Sequence, residues 1–122
     1  MDPKDIIEYC LKKSGAFLDF PFGAIPAVIK VCGKIFAEVY PNEGNCKITL
    51  KCDPFLAEAY RTQYPGIVIP GYHVPSSQKK YRNTIYLDQG IPDEIILRMI
   101  DHSYTEVIKK LKKEEKKAIG LP

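Results

Sequence analysis

The sequence predicts an α+β protein, an antiparallel sheet with helices packed on one face, in the order α-β-β-β-α-β-α. Three observations carry that expectation. Apolar residues at helical spacing lie near both ends of the chain, alternating runs fill its middle, and Asp-Pro pairs mark helix starts. With 122 residues, 45% hydrophobic and 27% charged, the chain has material for one core and is expected to be a single domain spanning residues 1–122.

Asp2-Pro3 reads as an N-cap followed by proline in the first helical position. Ile6, Ile7, Cys10 and Leu11 then share one face, and Ser14-Gly15 stops a helix that ends near Lys13. Phe17–Gly23, aromatic and proline-bearing, reads as a turn or a short strand. Strand-like runs follow at Ala27–Cys32, Lys34–Tyr40 and Lys47–Cys52. Gly33 and Pro41-Asn42-Glu43-Gly44-Asn45 are hairpin connectors, so these runs form an antiparallel meander. Asp53-Pro54 repeats the capping device and opens a helix to about Tyr64, ended by Pro65-Gly66. Ile69–Pro75 reads as a loop that continues into polar, basic Ser76–Arg82. A last strand, Asn83–Asp88, leads through Gln89-Gly90 to a helix opened by Pro92-Asp93-Glu94, whose acidic first turn suits the helix dipole. Its packing stripe is Ile96, Met99, Ile100, Ser103, Val107 and Leu111. Residues 112–122 read as a solvated, frayed lysine-rich tail, because glutamates interrupt the basic run.

The net charge of +3, from 18 basic and 15 acidic residues, permits nucleic-acid binding without requiring it. Apolar stretches such as Ala24–Ile29 fall far short of the roughly 20 residues that span a bilayer, and no signal peptide is readable at Met1-Asp2-Pro3. A cytoplasmic protein with no membrane partner is expected. Cys10, Cys32, Cys46 and Cys52 contain no CxxC pair and read as buried or half-buried thiols rather than disulfides or metal ligands. GxxxxGK[ST], GxGxxG and HExxH are absent, and no Ser, Cys or Asp sits in a nucleophile motif. No catalytic residue, cofactor or metal is therefore assigned, and a binding function is expected over an enzymatic one. His73 with Tyr72 reads as a turn lock whose loop position leaves a functional contact open, and Ser103 with Tyr104 reads as helix packing.

Strand alternation sorts the middle of the chain by face. Ile29, Val31, Ile48, Leu50, Cys52, Ile85 and Leu87 fall on an apolar side that helices can cover. Lys30, Lys47, Thr49, Lys51, Arg82, Thr84 and Tyr86 fall on the other, with Glu38 its acidic exception. That second face reads either as the wet side of a one-sided sheet or as a cationic surface suited to phosphate contacts. The leading expectation is weak, salt-dependent, non-enzymatic DNA binding. Lys30, Lys34, Lys51, Arg61, Lys79, Lys80 and Arg82 would meet phosphates, while Tyr72, His73 and Tyr86 would stack or enter a groove. The alternative is a protein- or small-ligand-binding module built on the Pro70–His73 loop near Phe20 and Phe22. Its marks would be a concave apolar cleft and scattered lysines.

A series of short motifs carries a family resemblance over nearly the whole chain. They are Asp19-Phe20-Pro21-Phe22-Gly23, Lys30-Val31-Cys32-Gly33-Lys34-Ile35-Phe36-Ala37, Leu50-Lys51-Cys52-Asp53-Pro54, Pro70-Gly71-Tyr72-His73, Asn83-Thr84-Ile85-Tyr86-Leu87-Asp88 and Asp101-His102-Ser103-Tyr104. In this order they resemble the MmcQ/YjbR family. The resemblance implies a CyaY-like fold, related in shape to the double-wing DNA-binding domain of the phage transcription factor MotA, and DNA as the partner. One position departs from the pattern: the family places Trp before the Asn-Thr pair, where this chain has Arg82 beside Tyr81. Arg82 would strengthen a phosphate contact there. Frataxin-like iron handling needs a dense acidic ridge, whereas the first helix offers only Asp2, Asp5 and Glu8.

Overall fold

Six antiparallel strands form one sheet in the order β1-β2-β3-β4-β6-β5. The computed structural model describes residues 1–42 and 44–122; Glu43, in the expected hairpin connector, lies outside the described residues. The elements are α1 (Pro3–Leu11), β1 (Ala16–Asp19), β2 (Ala27–Val31), β3 (Lys34–Tyr40), β4 (Lys47–Lys51), α2 (Pro54–Gln63), β5 (Val68–Pro70), a 3-10 helix (Ser76–Tyr81), β6 (Arg82–Tyr86), α3 (Asp93–Ile108) and α4 (Lys113–Ala118). The chain is thus α+β with an antiparallel sheet, as the alternation and capping patterns predict.

Of the two readings of Phe17–Gly23, the strand holds at its start: Ala16–Asp19 pairs Ala16 with Val31 and Asp19 with Val28. Three further segments differ from the sequence reading. Val68–Pro70, read as loop, is a short edge strand on β6, a position where proline's missing N–H costs no interior ladder bond. Ser76–Tyr81 is a 3-10 helix rather than an irregular loop. The tail also folds, into α4. The Glu115 carboxylate accepts the Lys112 N–H at 2.9 Å, and Ile119 lies so close to Gly15 that a Cβ there would be 2.5 Å from it.

The apolar face of the sheet is as the alternation places it. Ile29, Val31, Ala37, Val39, Ile48, Leu50 and Ile85 pack with Ile6 and Cys10 of α1 and with the stripe of α3. All six residues expected on that stripe are buried. Burial at about 25 cal/mol per Å² of apolar surface makes this layer the main stabilising term.

One irregularity organises the sheet. Ala37 pairs with Ile29 and Ile35 with Lys30, leaving Phe36 as an extra residue in β3. Phe36 is buried and packs edge-on against Tyr104 of α3, with ring centroids 5.3 Å apart. The Ser103 hydroxyl donates to the Phe36 carbonyl at 2.6 Å and accepts the Lys51 N–H at 2.9 Å. It bridges β3 and β4 beyond Ala37–Leu50, the last pair of their ladder.

The neighbours of Ser103 also act as ties. Asp101 accepts the Tyr9 hydroxyl at 2.7 Å and pairs with Lys13, fixing α1. His102 Nε2 accepts the Asp53 N–H at 3.0 Å, while the Asp53 carboxylate caps α2 by accepting the Phe55 and Leu56 N–H groups. The Tyr104 hydroxyl donates to the Ser14 carbonyl at 2.6 Å. Asp101-His102-Ser103-Tyr104 therefore joins α3 to α1, the start of α2, the bulge and the turn before β1.

The second face is not the wet side expected from alternation. Lys47 and Thr49 are each only 2% exposed, and Thr84 is fully buried. The chain after β5 folds over them: the Tyr72 N–H donates to Thr84 Oγ1 at 2.7 Å, and Thr84 and Thr49 share a hydrogen bond of 2.7 Å. The Lys47 ammonium sits among the rings of Tyr72, Tyr40 and Tyr86, at 4.5, 5.2 and 5.9 Å from their centroids. Among the described residues, no helix is long and apolar enough to cross a membrane.

Replacing Ser103 with Ala would strand the Lys51 N–H and the Phe36 carbonyl in a dry site. Urea denaturation should show a loss of roughly 3 kcal/mol, about three times the net worth of a typical hydrogen bond, with a native-like spectrum at low denaturant. A loss under about 0.5 kcal/mol would show that the bulge holds without this bridge.

Candidate functional site

The covering segments leave a cleft of about 580 Å³ on the second face. Phe22, Ile25 and Pro26 supply one apolar wall, and Val74 and Pro75 another. The sheet contributes Ile35, Glu38 and Tyr40 from β3 and Arg82 from β6, while His73 and Gln78 complete the lining. Ile35 reaches this side because the bulge at Phe36 shifts the alternation of β3.

Glu38 and Arg82 face each other across the cleft, with Nη1 donating to Oε1 at 3.2 Å. Their side chains are 12% and 18% exposed, so both charges are largely withdrawn from water. Burial raises the Glu38 pKa from its ordinary value, and the Arg82 charge only partly offsets that rise. Among the described residues, Arg82 Nε is the sealed side-chain polar atom with no hydrogen-bond partner. Burial pushes the nearby Tyr40 hydroxyl up to about 12, aided by Glu38 and Tyr72, so Tyr40 stays protonated. The pair is therefore an incompletely satisfied polar centre in an apolar setting, where hydrogen bonds are worth more than in water.

The wall that carries Tyr72 and His73 is held under constraint. The Gly71 N–H donates to the Arg82 carbonyl at 3.0 Å, and a Cβ on Gly71 would lie 2.2 Å from Val74 Cγ2. His73 holds a φ of 54°, left-handed backbone that costs a non-glycine residue about 1–3 kcal/mol. Its ring packs 4.0 Å from that of Tyr72, which in turn meets Tyr40 edge-on at 5.4 Å.

The ten residues nominated for DNA contacts sit in several different settings. Lys30 is paired with Asp19 at 2.8 Å. Arg61 braces the 3-10 helix: its Nε donates to Asn83 Oδ1 at 2.7 Å, and its Nη2 bonds the Lys79 and Arg82 carbonyls. His73 lines the cleft with Tyr72 packed against it, Arg82 is in the cleft, and Tyr86 borders the Lys47 ammonium. Lys79 and Lys80 are exposed on the 3-10 helix. Lys34 and Lys51 belong to a basic group that Arg82 also joins. Burial and the like charges of Arg82, Lys110 and Lys34 push the Lys51 ammonium below its ordinary value, with Glu106 opposing. A smaller recess of about 340 Å³ lies here, lined by Lys51, Tyr81, Glu106 and Lys110 among others.

Sequence reasoning missed Glu38, Tyr40, Ile35 and Val74 as site residues. The signal for Glu38 was available: it is the single carboxylate in a strand face otherwise basic and hydroxylic. Phe20 and Phe22, named beside the Pro70–His73 loop, divide. Phe22 lines the cleft, whereas Phe20 does not. All four cysteines are free; Cys10, Cys46 and Cys52 are buried, and burial raises their pKa values to about 12, 11 and 12. Such thiols stay protonated and unreactive at neutral pH.

Glu38 has a titration consequence. Its folded pKa is raised, so the folded protein binds this proton more tightly than the unfolded chain does. The contribution to stability is full at low pH and is lost as pH rises through the folded pKa. A carboxyl-detected NMR titration should give a midpoint above the ordinary 4.5. A midpoint at or below that value would mean that Arg82 outweighs burial.

The YjbR family model matches residues 11–106. The chain is 32% identical over 119 residues to the uncharacterized protein YjbR of Escherichia coli K12, covering 98% of each chain. It is also 32% identical over 102 residues to the uncharacterized protein YbdF of Escherichia coli O157:H7, covering 84% of this chain and 80% of that one. Among solved structures, Deinococcus radiodurans protein DR2400, a DUF419 domain, superposes with a TM-score of 0.88 at 31% identity, over 99% of this chain and 89% of the other. A Pseudomonas syringae protein shares the fold, with a TM-score of 0.71 at 23% identity, over 87% of this chain and 98% of that one. The chain belongs to the YjbR family.

Proposed function

We propose that this protein is a non-enzymatic binding module that takes a small ligand in the cleft over Glu38 and Arg82. The observation that carries this reading is a largely buried, singly bonded ion pair inside an apolar cleft of about 580 Å³. Such a pair adds little to folding stability, because desolvation offsets most of its Coulombic gain. Inside a concave apolar site, by contrast, a few convergent polar groups are what orients a ligand. The strained His73 backbone and the tight Gly71–Val74 contact support the same reading, since both preform one wall. Four free thiols suit a reducing compartment such as the cytoplasm.

An NMR screen of small aromatic fragments tests the proposal. Hits should shift the amides of Ile35, Val74 and Arg82 saturably, and Ile35→Trp, which fills the cleft from the sheet side, should weaken them at least about tenfold. Hits that map elsewhere, or that survive the filling substitution, would overturn it.

A second reading, DNA binding, is favoured by one specific observation. Burial first, and then the nearby charges of Arg82, Lys110 and Lys34, push the Lys51 ammonium below its ordinary value, and a phosphate would relieve that clustering. Exposed Lys79 and Lys80 could extend that contact. On this reading, random duplex DNA binds at low salt by fluorescence anisotropy, with affinity falling steeply as salt rises. Lys34→Glu/Lys51→Glu should then reduce affinity about tenfold or more. Salt-independent or absent binding would leave the cleft as the sole functional surface under consideration.

A further inference from the structure

We infer that the cleft selects a neutral, planar ligand edge carrying a hydrogen-bond donor beside an acceptor, as in an aromatic carboxamide or lactam. The donor would go to Glu38 and the acceptor to Arg82. This inference rests on the cleft being a ligand site and specifies what it takes.

The first argument is the unused bonding capacity of the pair. Arg82 and Glu38 meet through one hydrogen bond, Nη1 to Oε1, rather than through the parallel fork available to a guanidinium and a carboxylate. Among the described residues, the hydrogen bonds found involve neither Glu38 Oε2 nor Arg82 Nη2. Neither atom is among the sealed, unpartnered ones, which here comprise Arg82 Nε. An acceptor and a donor of the bonded pair are thus left open. Their complement is a ligand edge with a donor and an acceptor at the same spacing.

The second argument is charge. Glu38 and Arg82 cancel, so a singly charged ligand would bring an uncompensated charge into a site walled by Phe22, Ile25, Val74 and Pro75. A zwitterion would have to separate the pair to engage both partners, giving up the Coulombic compensation that keeps these charges tolerable away from water. A neutral edge can bridge the pair without opening it.

Planarity is the third argument. Phe22, Tyr40 and His73 all line the cleft, and the His73 ring packs 4.0 Å from that of Tyr72. Aromatic faces at a preformed wall favour a flat partner over a branched aliphatic one. The volume of about 580 Å³ lies within the range of small-molecule sites and exceeds what a single ring needs, leaving room for substituents beyond the minimal edge.

The test titrates the isotope-labelled protein with nicotinamide, nicotinate and pyridine, following the amides of Val74, Gln78 and Arg82 by NMR. Nicotinamide should saturate these shifts in the millimolar range, with nicotinate and pyridine at least about tenfold weaker. In Glu38→Met the preference for nicotinamide over pyridine should vanish. Because that variant leaves Arg82 unpaired in the cleft, Glu38→Met/Arg82→Met, which removes both charges, makes the same comparison in a neutral background. Equal binding of all three probes at the cleft, or stronger binding of nicotinate, would overturn the ligand class while leaving the cleft as a ligand site. Absence of shifts at these amides with every probe up to about 50 mM would overturn both.

Discussion

The extra residue at Phe36 sets the terms for the rest of the molecule. A regular seven-residue strand would commit alternate side chains to the two faces throughout its length. The bulge lets β3 send Phe36 into the helical layer while Ile35, Glu38 and Tyr40 serve the cleft. Such an interruption frees backbone groups that a dry interior cannot leave unpaired, and Ser103 satisfies two of them. With Asp101, His102 and Tyr104 holding α1, α2 and the turn before β1, a single stretch of α3 fixes the frame on which the cleft is hung.

The second face is stabilised differently from the first. Its interior is polar, made of paired threonines, a lysine enclosed by tyrosine rings and one ion pair. Thr84 and Lys47 are tolerated because the covering chain supplies partners: Tyr72 gives Thr84 a backbone donor and Lys47 an aromatic face. Removal of that chain would expose several polar groups to water at little cost, whereas the helical face would lose apolar burial. The two layers therefore differ in how firmly they are held, and the cleft lies on the side that depends on polar partners.

Much of this frame was legible in the sequence, for physical reasons that can be named. The α3 stripe from Ile96 to Leu111 follows helical periodicity and is buried at every named position. Lys34–Tyr40 is bounded by turn-forming residues and begins and ends as read. Asp53-Pro54 caps α2 as its chemistry dictates. Periodicity gives the direction of a side chain but not what lies above it, so Lys47 and Thr49 were assigned to the right face and the wrong environment. The cover comes from Tyr72–Gln78, distant in sequence, and no local pattern announces it. Arg61 illustrates the same limit. An arginine in the last turn of a helix reads as a free cation, yet three acceptors from distant parts of the chain occupy it. Glu38 stood out as the odd charge on its face, but its value as a site residue depends on Arg82, forty-four positions away.

The four-residue tie on α3 also bears on how this architecture can diversify. The connections that wall the cleft, around Phe22–Pro26 and Tyr72–Gln78, contribute none of the side-chain bonds made by Asp101, His102, Ser103 and Tyr104. The α3 tie and the two connections that wall the cleft are thus written in separate stretches of the chain. Substitutions in the two connections can reshape the cleft walls without disturbing the frame, much as interchangeable loops on a rigid support let one architecture carry differently shaped sites.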